Sequence, residues 1–385
     1  MSTELPALFR PLTIRGLTFR NRVVVSPMCQ YCSTEGFVNE WHLRHHARFA
    51  LGGVGGAFVE ASGVTRNGRI TPGCLGIWSD DHIVGLKEIV AIYHRESIPV
   101  GMQLAHSGAK GSVSTPFEKN PDDANKPLFR VRPAEAWHAC GPSAVTLIPG
   151  YPLPHALAQS QIEELIAAFV AAARRALHAG FDLIEIHGAH GYLLGEFFSP
   201  LTNRRDDEWG GDLARRMQFP LKVAEAVRNA IPANMPLFYR TSVEDGVEGG
   251  VQLADSIALA GELKKRGVDL IDCSAGGING PSGRGAFPMG PGYLLPYASA
   301  IRSEAHVAAM AVGMIDTSSL ANAAIERGDA DLVAMGRGLM ADPNFPYHAA
   351  LELGHPEPHD VLPLEYSFYL KRKAALLKAT PATPR

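Results

Sequence analysis

The chain has 385 residues, of which 46% are hydrophobic and 19% charged, and its formal net charge is −3. This composition is typical of a globular core, and without clustered Lys and Arg it excludes a phosphate-neutralising nucleic-acid surface. No apolar run reaches the roughly 18 residues of a membrane span. The N-terminus lacks the basic-then-apolar order of a signal peptide, so we expect a cytoplasmic location.

Short apolar runs alternate along the chain with longer segments of helical periodicity, and no long polar linker separates them. This alternation predicts βα units around a parallel sheet. The predicted strands are 23–25, 57–60, 100–104, 183–187, 237–241, 270–273, 308–312 and 332–335. A helix stop, a turn and an Asp precede three of them, at Asp182, Asp269 and Asp331, which indicates one repeated structural unit.

A helix is predicted at 161–179 because its apolar residues recur on one face. Ser160 and Glu163 have the spacing of a capping box at its start. Gly180 is the expected helix end, since glycine adopts the left-handed conformation that commonly closes helices.

The eight predicted strands fit a closed (β/α)8 TIM barrel in a single domain, 1–385. The rival fold is an open doubly wound sheet, which would normally carry a nucleotide-binding loop. Despite 39 glycines, the chain has no complete G-x-G-x-x-G and no Gly-Lys to complete a P-loop. We therefore favour the closed barrel.

A barrel of this kind needs about 250 residues, so the chain has a surplus. We assign it to an N-terminal hairpin over 12–19 that covers the barrel floor, a Pro-rich insertion after the third strand at 107–160, and a C-terminal arm at 354–385. The loop 276–292, rich in Gly and Pro, is expected to shape the substrate pocket, with Phe287 and Met289 as either packing or contact residues.

The five cysteines, an odd and sparse set, argue against a disulfide framework. Cys29 and Cys32 have CxxC spacing, but a structural zinc site needs further ligands and the chain has no second CxxC. We predict no metal site.

The ends of the seventh and eighth strands indicate a phosphate site. Gly313 follows the seventh strand, and Gly336 and Arg337 follow the eighth. Loops in these positions often bind phosphate in TIM barrels, where glycines open the backbone and an Arg neutralises the charge. The alternative is that the glycines are ordinary strand-to-helix turns.

The most informative strand end is the fourth, which carries His187, His190 and Tyr192. Two imidazoles and a phenol on one short loop can polarise a carbonyl oxygen and deliver a proton beside it, although a strand-end His is often only structural. Gln103 on the third strand and Arg240 on the fifth suit a polar heterocycle that gains negative charge. A buried ion pair with a barrel carboxylate is the alternative for Arg240.

Five segments carry a family resemblance. They are Ser26-Pro27-Met28-Cys29-Gln30-Tyr31, Gln103-Leu104-Ala105-His106-Ser107-Gly108, His187 to Tyr192, Asn203 to Gly211, and Gly336-Arg337. In this order they resemble the old yellow enzyme family of FMN-dependent ene-reductases, in its bacterial xenobiotic reductase and thermophilic-like branch, over about residues 9–340.

The resemblance implies a set of roles for individual residues. Four residues would line the flavin, namely Ser26, Pro27, Met28 and Cys29, with Cys29 tuning its potential. Ala61 and Gln103 would hold the pyrimidine edge, and Arg240 would stabilise the reduced ring. The phosphate would bind to Gly313, Gly336 and Arg337. The substrate carbonyl would bind to His187 and His190 and contact Tyr31, and Tyr192 would be the proton donor.

The activity that the resemblance implies is reduction of the activated C=C bond of an α,β-unsaturated carbonyl compound. NADPH or NADH would supply a hydride that passes through FMN to the β-carbon, while Tyr192 protonates the α-carbon. A homodimer or homotetramer is implied, in which Tyr366, Tyr369 or Arg372 of the C-terminal arm could reach a neighbouring active site.

Two alternatives remain from other classes of protein. One is a Schiff-base or metal-dependent lyase on the same barrel, which needs a lysine or a carboxylate cluster at the strand ends. Only Lys110, six residues beyond Leu104, comes near that requirement, and we assign it no role. The other alternative is a flavin-binding barrel without turnover.

Overall fold

The computed structural model describes residues 4–120, 123–127, 135–280 and 287–379. Its strands are β1 (Leu12–Ile14), β2 (Leu17–Phe19), β3 (Val23–Val25), β4 (Gly56–Gly63), β5 (Val100–Ala105), β6 (Lys119–Asn120), β7 (Asp123–Pro127), β8 (Cys140–Gly141), β9 (His155–Ala156), β10 (Leu183–Gly188), β11 (Leu237–Ser242), β12 (Leu270–Ser274), β13 (Ala308–Ala311) and β14 (Leu332–Met335).

Its helices are α1 (Glu40–Ala50), α2 (Ile83–Arg95), α3 (Gln159–Ala179), α4 (Leu193–Phe198), α5 (Leu213–Arg216), α6 (Gln218–Ala230), α7 (Leu253–Lys265), α8 (Leu295–Glu304), α9 (Ser318–Glu326), α10 (Arg337–Ala341), α11 (Phe345–Glu352) and α12 (Leu364–Ala379). Short 3-10 helices lie at Ala7–Phe9, Arg66–Gly68, Asp80–His82, Gly108–Lys110 and Pro358–Val361. Within the described ranges, no helix has the length and apolarity needed to cross a bilayer.

Eight parallel strands close into a barrel in the order β10, β11, β12, β13, β14, β3, β4 and β5. All eight were predicted from the sequence, and the closed (β/α)8 architecture is confirmed against the open sheet. The main differences lie at strand ends: β4 extends to Gly63, and β13 stops at Ala311. The carboxyl ends of all eight strands meet at one face of the barrel, where TIM-barrel active sites lie.

The predicted hairpin is present and covers the opposite, N-terminal end. β1 and β2 pair antiparallel from Leu12 opposite Phe19 to Ile14 opposite Leu17. Its side chains pack into an apolar group that we call the floor cluster. The cluster consists of Ile14, Phe19, Val24, Phe58, Leu183, Phe238, Leu270, Met310, Leu332 and Ala334.

The repeated Asp before a strand has one shared function. Each carboxylate accepts a hydrogen bond from an amide near the start of the neighbouring barrel strand, at 2.8 Å for Asp182, 2.9 Å for Asp269 and 3.0 Å for Asp331. The strand-entry pattern therefore fixes the relative register of three neighbouring strand pairs at the floor.

The start of α3 differs from the sequence prediction. The helix begins at Gln159 after Ala158, whose amide donates to Gln161 Oε1 at 2.9 Å, so the Ser160 and Glu163 capping box is wrong. The cause is a competing local acceptor, since the Gln161 side chain satisfies the free amide without a Ser hydroxyl. The predicted end is confirmed, with Gly180 left-handed at φ 94°.

The surplus segments lie where expected, although parts of them fall outside the described residues. The insertion 107–160 contains β6 to β9 and a 3-10 helix, and its residues 121–122 and 128–134 are not described. The same holds for residues 281–286 of the loop 276–292 and 380–385 of the arm. The described part of the arm ends in α12, which Lys371 joins to Asp360 through a 2.7 Å ion pair.

Candidate active site

A cavity of about 1120 Å³ opens at the carboxyl ends of the barrel strands. Its walls include the predicted site residues Ser26, Met28, His190, Arg240, Gly313, Gly336 and Arg337. The other predicted residues do not line this cavity directly; these are Pro27, Cys29, Tyr31, Ala61, Gln103, His187 and Tyr192. His187 lies with its ring centroid 5.1 Å from that of His190, which does line the cavity, and Tyr31 faces a second cavity of about 540 Å³.

One end of the large cavity is built from backbone. Gly313 has φ 116°, and a Cβ there would lie 3.0 Å from the Tyr293 ring. A Cβ at Gly336 would lie 3.2 Å from Met28 Sδ, and Arg337 opens α10 directly afterwards. Small residues here leave peptide N–H groups open to an anion beside a guanidinium group, which is the chemistry of a phosphate site.

One residue in the cavity lining is a buried cation, Arg240. Arg240 donates from Nη1 to Ser26 Oγ at 3.4 Å, and its Nε lies 3.1 Å from Asp272 Oδ2. The ion pair considered from the sequence as an alternative for Arg240 is therefore present. Arg240 also lines the cavity, so this ion pair leaves part of the side chain available to a ligand.

A buried amide lies beside this cation. Gln103 donates from Nε2 to Glu185 Oε1 at 2.7 Å, on the strand opposite it in register. This bond fixes the amide orientation, with the Gln103 oxygen as the remaining acceptor of the side chain. Burial, with the negative charge of Asp272, raises the pKa of Glu185 to about 8.

His187 is a buried, neutral hydrogen-bond donor. Its Nδ1 accepts the amide of Ala189 at 3.3 Å, so the ring proton is on Nε2. Burial lowers the His187 pKa well below its usual range, and the positive charge of Arg240 acts in the same direction. The imidazole therefore donates a proton in a hydrogen bond without carrying a charge.

His190 lies with its ring centroid 5.1 Å from that of His187. Its Nε2 is 2.7 Å from Ser274 Oγ, and its amide donates to Ser242 Oγ at 2.9 Å. With Nε2 engaged by the serine, Nδ1 is the ring nitrogen left for a ligand. Burial also lowers the His190 pKa well below its usual range.

Tyr192 completes the group immediately before α4. Its ring centroid lies 5.2 Å from that of His187 and 6.4 Å from that of His190. Burial raises the Tyr192 pKa well above its usual value, so the phenol keeps its proton in the folded protein. A protonated phenol and two neutral imidazoles thus converge on one short loop.

The two cysteines of the CxxC segment have different partners. The Cys29 thiol hydrogen-bonds to the Cys74 thiol, and this bond together with burial raises the Cys29 pKa. Cys32 Sγ instead lies 3.7 Å from His42 Nε2. Among the described side chains, no group of three or more His, Cys, Asp or Glu residues is placed to hold a metal ion.

Other residues singled out in the sequence have structural roles. Asn203 donates from Nδ2 to the carbonyls of Phe197 and Trp209, both at 2.7 Å, so it joins the two ends of the 203–209 turn to α4. In the loop 276–292, Phe287 is buried with its ring 6.2 Å from that of Tyr297, whereas Met289 lines the large cavity.

Sequence reasoning gave no role to Ser242, Ser274 or Glu185, which hold His190 and Gln103 in place. The rule that TIM-barrel function lies at strand ends could have found Ser242 and Ser274, because each is the last residue of its strand.

These residues fit a flavin mononucleotide. The cavity volume is above the roughly 300–1,000 Å³ of most small-molecule sites, so there is room for a cofactor and a substrate together. Its lining combines the kinds of groups that FMN needs: an anion site at Gly313, Gly336 and Arg337, the buried cation Arg240, and the neutral His190 with His187 next to it. Fold and site together define a flavin-dependent (β/α)8 oxidoreductase.

Comparisons with known proteins agree with this class. The model of the NADH:flavin oxidoreductase / NADH oxidase family matches residues 7–355. An NADPH dehydrogenase of Geobacillus sp. (strain WCH70) is 42% identical over 349 residues, covering 90% of this chain and 94% of that protein. Morphinone reductase has a similar structure, with a TM-score of 0.73 and 25% identity over 91% of both chains. The old yellow enzyme homologue of Zymomonas mobilis shares the fold at a TM-score of 0.72 and 24% identity, over 91% of this chain and 94% of that one.

The chain belongs to the NADH:flavin oxidoreductase / NADH oxidase family, and its resemblance to old yellow enzyme is confirmed. It is an FMN-dependent oxidoreductase that uses NAD(P)H. The family match ends at residue 355, so α12 lies outside it.

Proposed function

We propose that this enzyme reduces the activated C=C bond of α,β-unsaturated carbonyl compounds. The observation that carries the proposal is the convergence of two neutral imidazoles and a protonated phenol, with ring centroids 5.1 to 6.4 Å apart, beside a cavity that fits FMN. Neutral donors suit a carbonyl oxygen that gains negative charge only during the reaction, because they stabilise the transition state more than the ground state.

The residues divide this reaction between binding and proton transfer. FMN, when bound, would supply the hydride chemistry that links NAD(P)H to the substrate β-carbon. His187 Nε2 and His190 Nδ1 hold the substrate oxygen, and Tyr192 gives its proton to the α-carbon. Tyr31, which has φ 53°, is the further candidate to contact the substrate.

The cofactor contacts follow the polarity of the cavity. We assign the flavin ring to the loop after β3, comprising Ser26, Pro27, Met28 and Cys29. Its pyrimidine edge is held by Ala61 and Gln103, whose amide oxygen is the remaining acceptor of the side chain. Arg240 supports the negative charge of the reduced cofactor, and Gly313, Gly336 and Arg337 bind the phosphate.

The test separates the two half-reactions. The purified enzyme, reduced anaerobically with NADPH, is mixed with 2-cyclohexenone, and the flavin absorbance is followed by stopped flow. We expect the absorbance to return as cyclohexanone forms in equal amount, and cyclohexanone itself, as the control, to leave the enzyme reduced. Failure of the enone and of an α,β-unsaturated aldehyde to reoxidise the enzyme would contradict the proposal.

A binding experiment tests the proposed contact between His187 and the substrate oxygen independently of turnover. Replacement of His187 by Ala removes the Nε2–H donor, so the affinity for a para-substituted phenol should fall about tenfold to a hundredfold, the range for one hydrogen bond to a charged oxygen. Titration of the oxidised enzyme by absorbance measures this affinity. An unchanged dissociation constant would show that the oxygen is bound elsewhere.

We also propose a homodimer or homotetramer in which α12 contacts a neighbouring copy. Leu364, Tyr369, Leu376 and Leu377 of α12 are large apolar side chains that are largely exposed in the single chain. Tyr366, Tyr369 and Arg372 are the candidates to reach a neighbouring active site. Light scattering of the full-length enzyme and of Leu376→Glu tests this; a fully active monomer would contradict it.

A further inference from the structure

Lys110 is a buried cation for which the proposed reaction has no stated use. It ends the 3-10 helix Gly108–Lys110 that follows β5. Its ammonium group donates to the carbonyls of His190 at 2.7 Å, Gly277 at 2.7 Å and Gly280 at 3.1 Å. The three N–H donors of the lysine are matched by three backbone acceptors, so the amine is not free to form a Schiff base.

These contacts join three strand ends at the active site. Lys110 follows β5, His190 follows β10, and the two glycines follow β12. The loops are also in direct contact, since a Cβ at Gly277 would lie 2.6 Å from the His190 Cα. His190 itself has φ 61°, a conformation that non-glycine residues adopt only when their surroundings hold them in it.

The same ammonium group faces the proposed proton donor. Lys110 Nζ lies 4.9 Å from the centroid of the Tyr192 ring. A cation over a phenol ring interacts favourably with the neutral ring, and more so with the phenolate that remains once the proton has left.

The geometry points to Lys110 as a positioning residue for proton transfer: it holds the turn from His190 to Tyr192 in place, and it stabilises the phenolate formed when Tyr192 gives up its proton. This inference rests on the proposed function, because it needs Tyr192 as the donor. The proton that leaves Tyr192 goes to the substrate α-carbon, and solvent returns it after the product has left.

The charges around Lys110 make its role testable by pH. Burial lowers the Lys110 pKa to about 8, and Glu196 of α4 opposes this shift. The end of β10 contributes the two neutral histidines, and β8, which packs on the 3-10 helix, contributes Cys140, a thiol whose pKa burial raises to about 12. Arg240 of β11 is the other cation that, with Lys110, depresses the His190 pKa.

The central experiment is a double-mutant cycle on flavin reoxidation by 2-cyclohexenone at pH 7. In the enzyme that keeps Tyr192, Lys110→Met should slow flavin reoxidation about tenfold to a hundredfold, which is the size of coupling expected between contacting residues. In the Tyr192→Phe background the same substitution should change the rate less than about threefold. Lys222→Met, at an exposed lysine of α6, is the control and should leave every rate unchanged.

The pH profile adds a measurement that a purely structural role would not move. In the wild type, reoxidation should slow as the pH rises through about 8, because Lys110 then loses its charge. Lys110→Arg should retain most of the rate at pH 7 and lose this decline. Glu185, whose pKa burial also raises to about 8, is intact in all variants, so a decline that persists in Lys110→Arg belongs to Glu185 and overturns the assignment.

Amide hydrogen exchange rates of the holoenzyme test the positioning role of Lys110 without turnover. Lys110→Met should exchange faster at residues 190–192 and 277–280 than the wild type, and Lys110→Arg should not. Equal slowing of reoxidation by Lys110→Met in both Tyr192 backgrounds would overturn the inference alone. If Tyr192→Phe has no effect by itself, both the inference and the proposed role of Tyr192 fail.

Discussion

At the N-terminal end of the barrel the interior is apolar, whereas two residues further along the same strands it is charged. In β11, Phe238 belongs to the floor cluster and Arg240 lines the large cavity, and both point inward because side chains of a strand alternate with a period of two. β10 repeats this contrast. Leu183 lies at the N-terminal end, the floor, whereas Glu185 and His187 lie towards the carboxyl end of the strand, which we call the upper end.

The end opposite the floor holds two buried carboxylates that are not fully satisfied. Glu185 Oε2 and Asp272 Oδ1 are buried and, among the described residues, have no hydrogen-bond partner. Buried carboxylate oxygens without a partner are unfavourable for folding, so we infer that the apolar floor supplies stability and the other end uses part of it for function.

The largest expected effect is chemical and confined to the upper end. Tyr192→Phe removes one hydroxyl and should slow flavin reoxidation by an enone about 10²- to 10⁴-fold, the usual contribution of a general acid. Reduction of the flavin by NADPH should change little. Stopped flow on both half-reactions measures this, and equal slowing in both would show that Tyr192 serves cofactor binding instead.

At the floor, a comparable perturbation should affect stability and not chemistry. Phe238 stacks on Phe19 at 6.3 Å and contacts Phe58 at 5.8 Å. Phe238→Ala should therefore lower the free energy of unfolding by about 3–5 kcal/mol through lost packing and a residual cavity. Equilibrium urea unfolding measures the loss. If flavin reoxidation per bound flavin became more than tenfold slower, the proposal that the floor affects stability and not chemistry would be contradicted. Such a result would mean that the floor acts on Arg240.

A pH experiment sharpens the same contrast. Burial lowers the pKa of His106, which follows β5 at the upper end, to about 4. Between about pH 6.5 and 4 the unfolded chain binds the proton that the folded state excludes, so stability falls on acidification. This residue alone should contribute a loss of about 2 kcal/mol at pH 5 relative to pH 8.

His106→Gln is the matched variant, because its amide oxygen can still accept the Gly108 amide that His106 Nδ1 accepts at 3.2 Å. The difference in unfolding free energy between pH 8 and pH 5 should shrink in this variant. An undiminished difference would assign the acid sensitivity to other histidines.

The floor could be predicted from the sequence more completely than the upper end. Each barrel strand is a short apolar run followed by loop residues, and Asp182, Asp269 and Asp331 mark three of the starts. Such signals are local, since they depend on residues a few positions apart. The α3 cap was missed because Ser160 and Gln161 are both plausible partners for a free amide, and only the backbone geometry selects Gln161.

The contacts of the upper end are non-local. Lys110 meets Gly277 across 167 positions of sequence, and His190 meets Ser274 across 84. Residue type and strand-end position predicted the histidines and Tyr192 as site residues. The tautomer of His187, however, depends on the amide of Ala189, which donates to Nδ1. Such pairings require the barrel register, which no single strand specifies.

The smallest expected effect tests whether the floor aspartates act through hydrogen bonding or through charge. One oxygen of Asp331 accepts both the Ala309 amide at 3.0 Å and the Arg302 Nε at 2.9 Å. Asp331→Ala loses both bonds and should lower the unfolding free energy by about 1–2 kcal/mol. Asp331→Asn keeps an acceptor oxygen and loses only a partly exposed ion pair, so its loss should stay below about 1 kcal/mol. Urea unfolding at low and high salt measures both variants. If Asp331→Asn is as damaging as Asp331→Ala and salt reduces the effect, charge and not strand capping explains the recurring Asp at the barrel floor.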